Sequence, residues 1–447
     1  MGALFGTDGV RGIANQELTP ELAYKLGRAG SYVLAQQFQY PRILVGKDTR
    51  VSGDMLEAAL VAGICSVGAS VLKVGVAPTP AVAYLTRHYE ASCGVVISAS
   101  HNPMEYNGIK FFSGDGFKLP DATEEEIERL VVDWVNLPLR PTGSDVGRVY
   151  GVVDAEKNYL DYLCGCLREP DFSGLTVVVD CAHGAAYTVA PNLWRRLGAK
   201  VITIGDSPNG ININERCGST HPELLRRTVV EHKANLGVAY DGDADRLIAV
   251  DERGEVVDGD AIMVICGLHL KRTRRLSPSR LVATVMSNIG LDIALRREGI
   301  EVDHCAVGDR YVLERMQETG ARLGGEQSGH LIFLDHATTG DGLLSSLKLV
   351  EVMRETGLPL SELAAQMEVF PQILENIELR QRESILEQEP VRAAIARAEE
   401  RLGEWGKVLV RPSGTEPKIR IMAQGRDEYL LKEVVEDIRT SILAAQR

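Results

Sequence analysis

The 447-residue chain has little of what would tie it to a nucleic acid, a bilayer or an oxidising compartment. It carries no excess of positive charge: 49 Lys and Arg stand against 62 Asp and Glu, for a formal net charge of -13. That balance argues against a polyanion as the main partner, while leaving room for local basic sites that take small anions. No apolar run is long enough to span a bilayer. The eight cysteines are scattered and none forms a CxxC pair, so neither a zinc site nor a disulfide framework is indicated. The segment Met1-Gly2-Ala3-Leu4-Phe5-Gly6 lacks the charged and apolar regions of a secretion signal, and Gly6 stands where a myristoylation signal needs Ser or Thr. The expectation is a cytoplasmic protein with no nucleic-acid or membrane partner.

What is present is an ordinary globular composition, 45% hydrophobic and 25% charged, in a chain too long for one core. Short apolar runs recur at Arg42 to Val45, Gly94 to Ile97, Leu175 to Val179, Leu236 to Tyr240 and Leu281 to Val285, each followed by small or polar residues. These read as strands that end in functional loops. Helical patterns lie between them, one after Thr19-Pro20 and one after a capping box at Thr123 to Glu126. The alternation predicts an α/β architecture. A linker is expected at Leu137 to Asp145, a second boundary near Asp251 to Gly254, and a change of pattern after Phe370. The last part reads as strands at Ile373 to Leu379, Lys407 to Val410 and Ile419 to Met422, with a closing helix from about Asp427. The resulting division is three α/β domains, 1–145, 146–252 and 253–368, and a smaller α+β domain, 369–447.

Asp241-Gly242-Asp243-Ala244-Asp245-Arg246 follows one of the apolar runs. Three carboxylates at alternate positions repel one another unless a cation lies among them, and hard oxygen ligands suit Mg²⁺. The same residues would also serve as a solvated acidic turn. Ser98-Ala99-Ser100-His101-Asn102-Pro103 sets a hydroxyl beside an imidazole, which fits a nucleophile or phosphate acceptor as well as a plain turn. Arg411-Pro412-Ser413-Gly414-Thr415 with Arg420 offers hydroxyl, backbone N–H and guanidinium donors for a phosphate dianion. Gly324 to His330 brings together an acid, an amide, a hydroxyl and an imidazole that could read sugar hydroxyls. Phe5 to Gly12 adds Arg11, and Lys110 past the serine loop is a candidate general acid or base if burial lowers its pKa. Lys118 reads as part of a mobile tip.

Taken in order along the chain, these five motifs resemble the α-D-phosphohexomutase family over its whole length. The resemblance implies four domains around a central cleft, each giving one loop. It implies that Ser100 is phosphorylated, that Asp241, Asp243 and Asp245 hold Mg²⁺ with the phosphoserine oxygen, and that Glu326 and Ser328 grip the sugar near His330. Arg411, Ser413, Gly414, Thr415 and Arg420 would hold the nonreacting phosphate, and Arg11, His101, Lys110 and Arg246 would surround the transferring phosphoryl group. The implied reaction interconverts glucosamine 6-phosphate and glucosamine 1-phosphate through a sugar 1,6-bisphosphate, with glucosamine or glucose 1,6-bisphosphate as activator. Gln327 favours the amino sugar over neutral hexose phosphates, the alternative substrates for the same machinery. A homodimer and an activating kinase are compatible with the resemblance. Met104-Glu105-Tyr106 departs from the family pattern after the His-Asn-Pro triplet.

Overall fold

The computed structural model describes residues 4–6, 8–35, 38–132, 140–378, 383–412 and 418–446. The chain builds four sheets in succession. The first contains β1 (Val10–Ile13), β2 (Arg42–Lys47), β3 (Ser70–Val76), β4 (Cys93–Ile97), β5 (Tyr106–Ser113) and β6 (Val149–Gly151), in the order β1-β5-β4-β2-β3-β6. Its centre is parallel, β4-β2-β3, and the runs at the core of β2 and β4 are apolar without alternation because both faces are covered. The helix Pro20–Ala35 covers one face; Pro20 opens it and Thr19 Oγ1 accepts from Leu22 N at 3.3 Å. It packs on the helix Ser52–Cys65 at backbone contact: a Cβ on Gly27 would lie 2.3 Å from the Leu60 carbonyl, and one on Gly63 would lie 2.2 Å from that of Tyr24.

The second sheet contains β7 (Thr176–Asp180), β8 (Lys200–Ile204), β9 (Leu236–Tyr240), β10 (Leu247–Asp251) and β11 (Val256–Val257), in the order β11-β10-β9-β7-β8. The third contains β12 (Arg280–Thr284), β13 (Glu301–Cys305), β14 (Leu323–Gly325) and β15 (Leu331–Phe333), in the order β13-β12-β14-β15. The fourth is antiparallel, β16 (Gln372–Glu378), β17 (Gly406–Pro412) and β18 (Lys418–Gly425), with β18 in the middle. Its apolar face lies under the helices Glu389–Leu402 and Glu428–Ala445, the second capped by Asp427. The four sheets bear out the expected multi-domain α/β architecture.

Two compact units emerge. One comprises residues 1–284 and 303–365, the other 285–302 and 366–447. The tail unit thus includes the helix Ile289–Arg297, which a division at 368/369 leaves out. Two other expected boundaries also fall inside sheets. β6 pairs with β3 beyond position 145, and β11 pairs with β10 across the turn at Glu252 to Gly254. The capping box at Thr123 is displaced as well: the helix begins at Asp121, and the amides of Thr123 and Glu124 bond the carbonyl of Pro120. The sequence Leu119-Pro120 sets that start, because a proline fixes its own φ and excludes its predecessor from the helical region. Leu379 and the linker residues 137–139 lie outside the described residues. Among the described residues no helix is long and apolar enough to cross a membrane.

Candidate functional site

The chemically equipped loops leave the carboxyl ends of strands, where open α/β sheets place their ligands. Ser98 follows β4, Asp48 follows the neighbouring parallel β2, Asp241 follows β9, and Glu326 follows β14. At the centre Ser100 Oγ donates to Asp241 Oδ2 at 2.5 Å and lies 3.3 Å from His101 Nδ1. Ser100 is buried and its φ is +51°. Its amide donates to Ser98 Oγ at 3.0 Å, and that hydroxyl donates to Asp48 Oδ2 at 2.6 Å.

Asp241, Asp243 and Asp245 are all buried, with one ligand oxygen from each within 4.8 Å of the others. Asp243 Oδ1 and Asp245 Oδ1 are buried without a hydrogen-bond partner. Burial and mutual repulsion hold Asp241 well above the usual carboxylate range and raise Asp245. Three hard oxygen donors that cannot shed charge into water fit a small divalent cation. Asp243 differs from its neighbours. Its Oδ2 accepts from Thr79 Oγ1 at 2.6 Å and from Lys110 Nζ at 2.9 Å; burial, the largest influence, raises the carboxyl, and Lys110 and Thr79 together hold it below its ordinary value.

Lys110 also meets Asp8 Oδ2 at 2.8 Å. Burial alone would lower its pKa, as expected of a base, but Asp243, Asp8 and Asp245 raise it instead. With these carboxylates around it and no cation among them, the group is an ammonium. Arg11 pairs with Asp8, and Arg246 lies 4.0 Å from Asp245 Oδ1. His101 is pushed down to about 4 by burial and by Arg246 and Arg11, so its ring is neutral.

The glycine-rich loop joins this cluster through backbone pairing. Arg246 bridges His330, and Leu247 N donates to Gly329 O at 3.0 Å. Glu326 accepts from Gly308 N at 3.0 Å and from Ser328 Oγ at 3.1 Å, which ties the two side chains together. Gln327 instead donates to Asp258 Oδ2 at 3.0 Å. Lys118 is no mobile tip: it is largely buried and pairs with Asp8 at 2.5 Å and with Asp309, which lies 3.4 Å from His330 Nε2. A separate cavity of about 260 Å³, lined by residues such as Cys266, Arg275 and Phe333, shares none of these groups.

In the tail unit Arg411 and Arg420 stand directly opposite each other on β17 and β18. Burial and the neighbouring guanidinium depress the Arg411 pKa. Ser413, Gly414 and Thr415 lie outside the described residues.

Comparison with known proteins settles the lineage. The chain matches "Phosphoglucomutase/phosphomannomutase, alpha/beta/alpha domain I" over residues 2–135, domain II over 157–254, domain III over 258–370 and the C-terminal domain over 374–441. The chain belongs to the phosphoglucomutase/phosphomannomutase family. A phosphoglucosamine mutase of Syntrophomonas wolfei is 66% identical to it over the full length of both proteins. Among solved structures, a family protein of Burkholderia thailandensis superposes with a TM-score of 0.81, covering 98% of this chain and 97% of its own at 24% identity. An Aspergillus fumigatus N-acetylphosphoglucosamine mutase, solved with GlcNAc-6P and magnesium, superposes at 0.71, covering 99% and 95% at 15% identity. The likeness to both is one of fold. Membership in this family and the mutase relatives make the chain an isomerase-class enzyme, a mutase.

The structure also brings in residues that single motifs did not mark. Asp8 stands in the segment quoted for Arg11, and Thr79 and Asp309 reach the cluster from separate elements. Asp48 and Arg50 follow a run already read as a strand with a functional loop, so their signal was present. Asn214 lies in a stretch rich in Asn and Gly that gave none.

Proposed function

We propose that the enzyme interconverts glucosamine 6-phosphate and glucosamine 1-phosphate through phosphorylated Ser100 and a sugar 1,6-bisphosphate. The observation that carries this reading is Ser100 Oγ at 2.5 Å from Asp241, inside a buried set of three carboxylates ringed by Arg11, Lys110 and Arg246. A hydroxyl so placed supports the reading of Ser100 as the phosphoryl carrier. The S. wolfei relative supports the amino sugar as substrate.

Phosphoserine 100 gives its phosphoryl group to the free hydroxyl of the monophosphate. The bisphosphate turns end for end, its other phosphate returns to Ser100, and the isomer leaves. Phosphoryl transfer asks mainly for positioning and charge compensation. Arg11, Lys110 and Arg246 supply cations, and Asp243, Asp8 and Asp245 favour the protonated form of Lys110. Before Ser100 is phosphorylated, His101 is neutral beside it. Asp241, Asp243 and Asp245 would hold one Mg²⁺ with a phosphoserine oxygen, and that ion would offset negative charge on the transferring group. Glu326 and Ser328, near His330, would bond sugar hydroxyls. Arg411, Ser413, Gly414, Thr415 and Arg420 would grip the phosphate that is not reacting, in either orientation of the sugar. A sugar 1,6-bisphosphate would act as activator by restoring phosphoserine.

The domain division carried with this reading is 1–145, 146–252, 253–368 and 369–447, one loop from each. A cytoplasmic setting suits a phosphosugar substrate and eight free thiols. A homodimer and an activating kinase are compatible with the scheme and required by none of its steps.

The test compares kcat/KM for glucosamine 1-phosphate, glucose 1-phosphate and mannose 1-phosphate, with Mg²⁺ and trace sugar 1,6-bisphosphate. A preference for the amino sugar supports the reading. A preference for a neutral sugar keeps the mechanism and changes the substrate, and inorganic phosphate without isomer makes the chain a phosphatase and overturns it.

A further inference from the structure

Ser100 is held in a conformation that L residues avoid. Its φ of +51° strains a residue with a Cβ, so surrounding contacts must fix it. Two side chains do so from different parts of the chain. Arg50 Nη2 donates to the Ser100 carbonyl at 2.9 Å, and Asn214 Nδ2 donates to the same oxygen at 2.9 Å. The same two groups reach the Asn102 carbonyl at 2.9 Å and 3.0 Å. Arg50 also bonds the Pro103 carbonyl at 2.9 Å, and its Nε donates at 3.0 Å to Asp48 Oδ2, the atom that accepts from Ser98. Arg50 and Asp48 are wholly enclosed.

The metal-loop backbone closes over this arrangement. A Cβ on Gly242 would lie 2.5 Å from the Ser100 carbonyl and 2.9 Å from Asn214 Nδ2. Asn214 is itself anchored, its amide donating to Ala182 O at 2.9 Å, and its φ of +60° is one that Asn tolerates well. Neither Arg50 nor Asn214 touches the Ser100 hydroxyl.

We propose that Asn214 and Arg50 are positioning residues for phosphoryl transfer, clamping the Ser100 carbonyl from two domains so that Oγ stays against Asp241. This inference rests on the reading of Ser100 as the phosphoryl carrier. The clamp acts on the carrier in both halves of the cycle and on none of the proposed sugar-binding groups. Its loss therefore falls on kcat and on the rate at which Ser100 becomes phosphorylated, not on KM.

Asn214→Asp is the sharpest probe, because it keeps the shape and the tolerance of positive φ and turns a donor into oxygen lone pairs facing two carbonyls. Arg50→Lys keeps the charge and loses the fork, so either variant decides the question if the other does not fold. For each, kcat and KM with glucosamine 1-phosphate, the rate of Ser100 phosphorylation by glucose 1,6-bisphosphate from intact mass, and thermal unfolding are compared with wild type. The expected result is a fall in kcat and in phosphorylation rate on the order of 10- to 100-fold, with KM essentially unchanged. A lowered unfolding temperature with wild-type kcat per folded molecule, or a rise in KM matching the loss of kcat/KM, overturns the proposal. A wild-type enzyme that neither takes phosphate on Ser100 nor forms isomer fails differently, and overturns the carrier reading on which the proposal depends.

Discussion

Ser100 Oγ and Asp241 Oδ2 are separated by 141 residues in the chain and by 2.5 Å in the folded protein. That contact joins the loop after β4 to the loop after β9, and it sets the carrier oxygen at the edge of the carboxylate cluster. Removing the hydroxyl removes the carrier itself. Ser100→Ala is expected to lose on the order of 10³-fold or more in turnover, the scale of losing a covalent nucleophile. Steady-state assay in the presence of sugar bisphosphate checks this, and turnover near wild type would refute it.

The carboxylate cluster predicts a metal-linked stability. Without a cation, Asp241 and Asp245 are buried beside other carboxylates, so an ion that binds only the folded state stabilises it. At free Mg²⁺ near 100 times Kd the gain is about 2.7 kcal/mol. Thermal unfolding of wild type is expected to shift upward with Mg²⁺ and to fall back with chelator. Asp243→Asn should shift far less.

Arg411 and Arg420 face each other across two strands, and like charges so placed repel. An anion between them relieves that repulsion. Arg411→Ala is expected to raise KM by roughly 10- to 100-fold, the cost of a charge-assisted bidentate contact, while kcat changes little. A loss confined to kcat would contradict this role.

Asp180 offers a pH signature away from the cluster. It is buried at the end of β7, accepts from Ala182 N at 2.9 Å and Gly218 N at 2.8 Å, and burial raises its pKa to about 6. A carboxyl raised in the folded state contributes stability below its unfolded value of 3.8, and that contribution is lost as pH rises through about 6. Asp180→Asn cannot titrate. The stability difference between wild type and variant should therefore shift in favour of the variant by about 2 kcal/mol between about pH 4 and about pH 7. Denaturant unfolding at the two ends of that range measures it, and a constant difference would contradict the assignment.

How much of this was legible in the sequence follows from what each signal depends on. The strand read at Leu236 to Tyr240 is β9 to the residue, because burial on both faces leaves a continuous apolar run. β6 gave no such signal, since all three of its residues are exposed and it exists only through pairing with β3. The five motifs were readable because each is contiguous, and the structure gathers four of them into one cluster. The fifth, at Arg411, belongs to the tail unit. Lys118 was misread for the opposite reason. Its burial depends on Asp8 and Asp309, which lie 110 and 191 residues away. Arg50 stands just past a legible strand, but what it and Asn214 do is decided by backbone carbonyl oxygens, and these have no sequence signature.

The most direct test of the central claim is a pulse and chase of the phosphoryl group. The enzyme is charged with labelled glucose 1,6-bisphosphate and Mg²⁺, freed of sugar, mapped by peptide mass, and then given glucosamine 6-phosphate. The account predicts label on Ser100 and its passage into a glucosamine bisphosphate, followed by glucosamine 1-phosphate. Label on another residue, or its release only as inorganic phosphate, would contradict it.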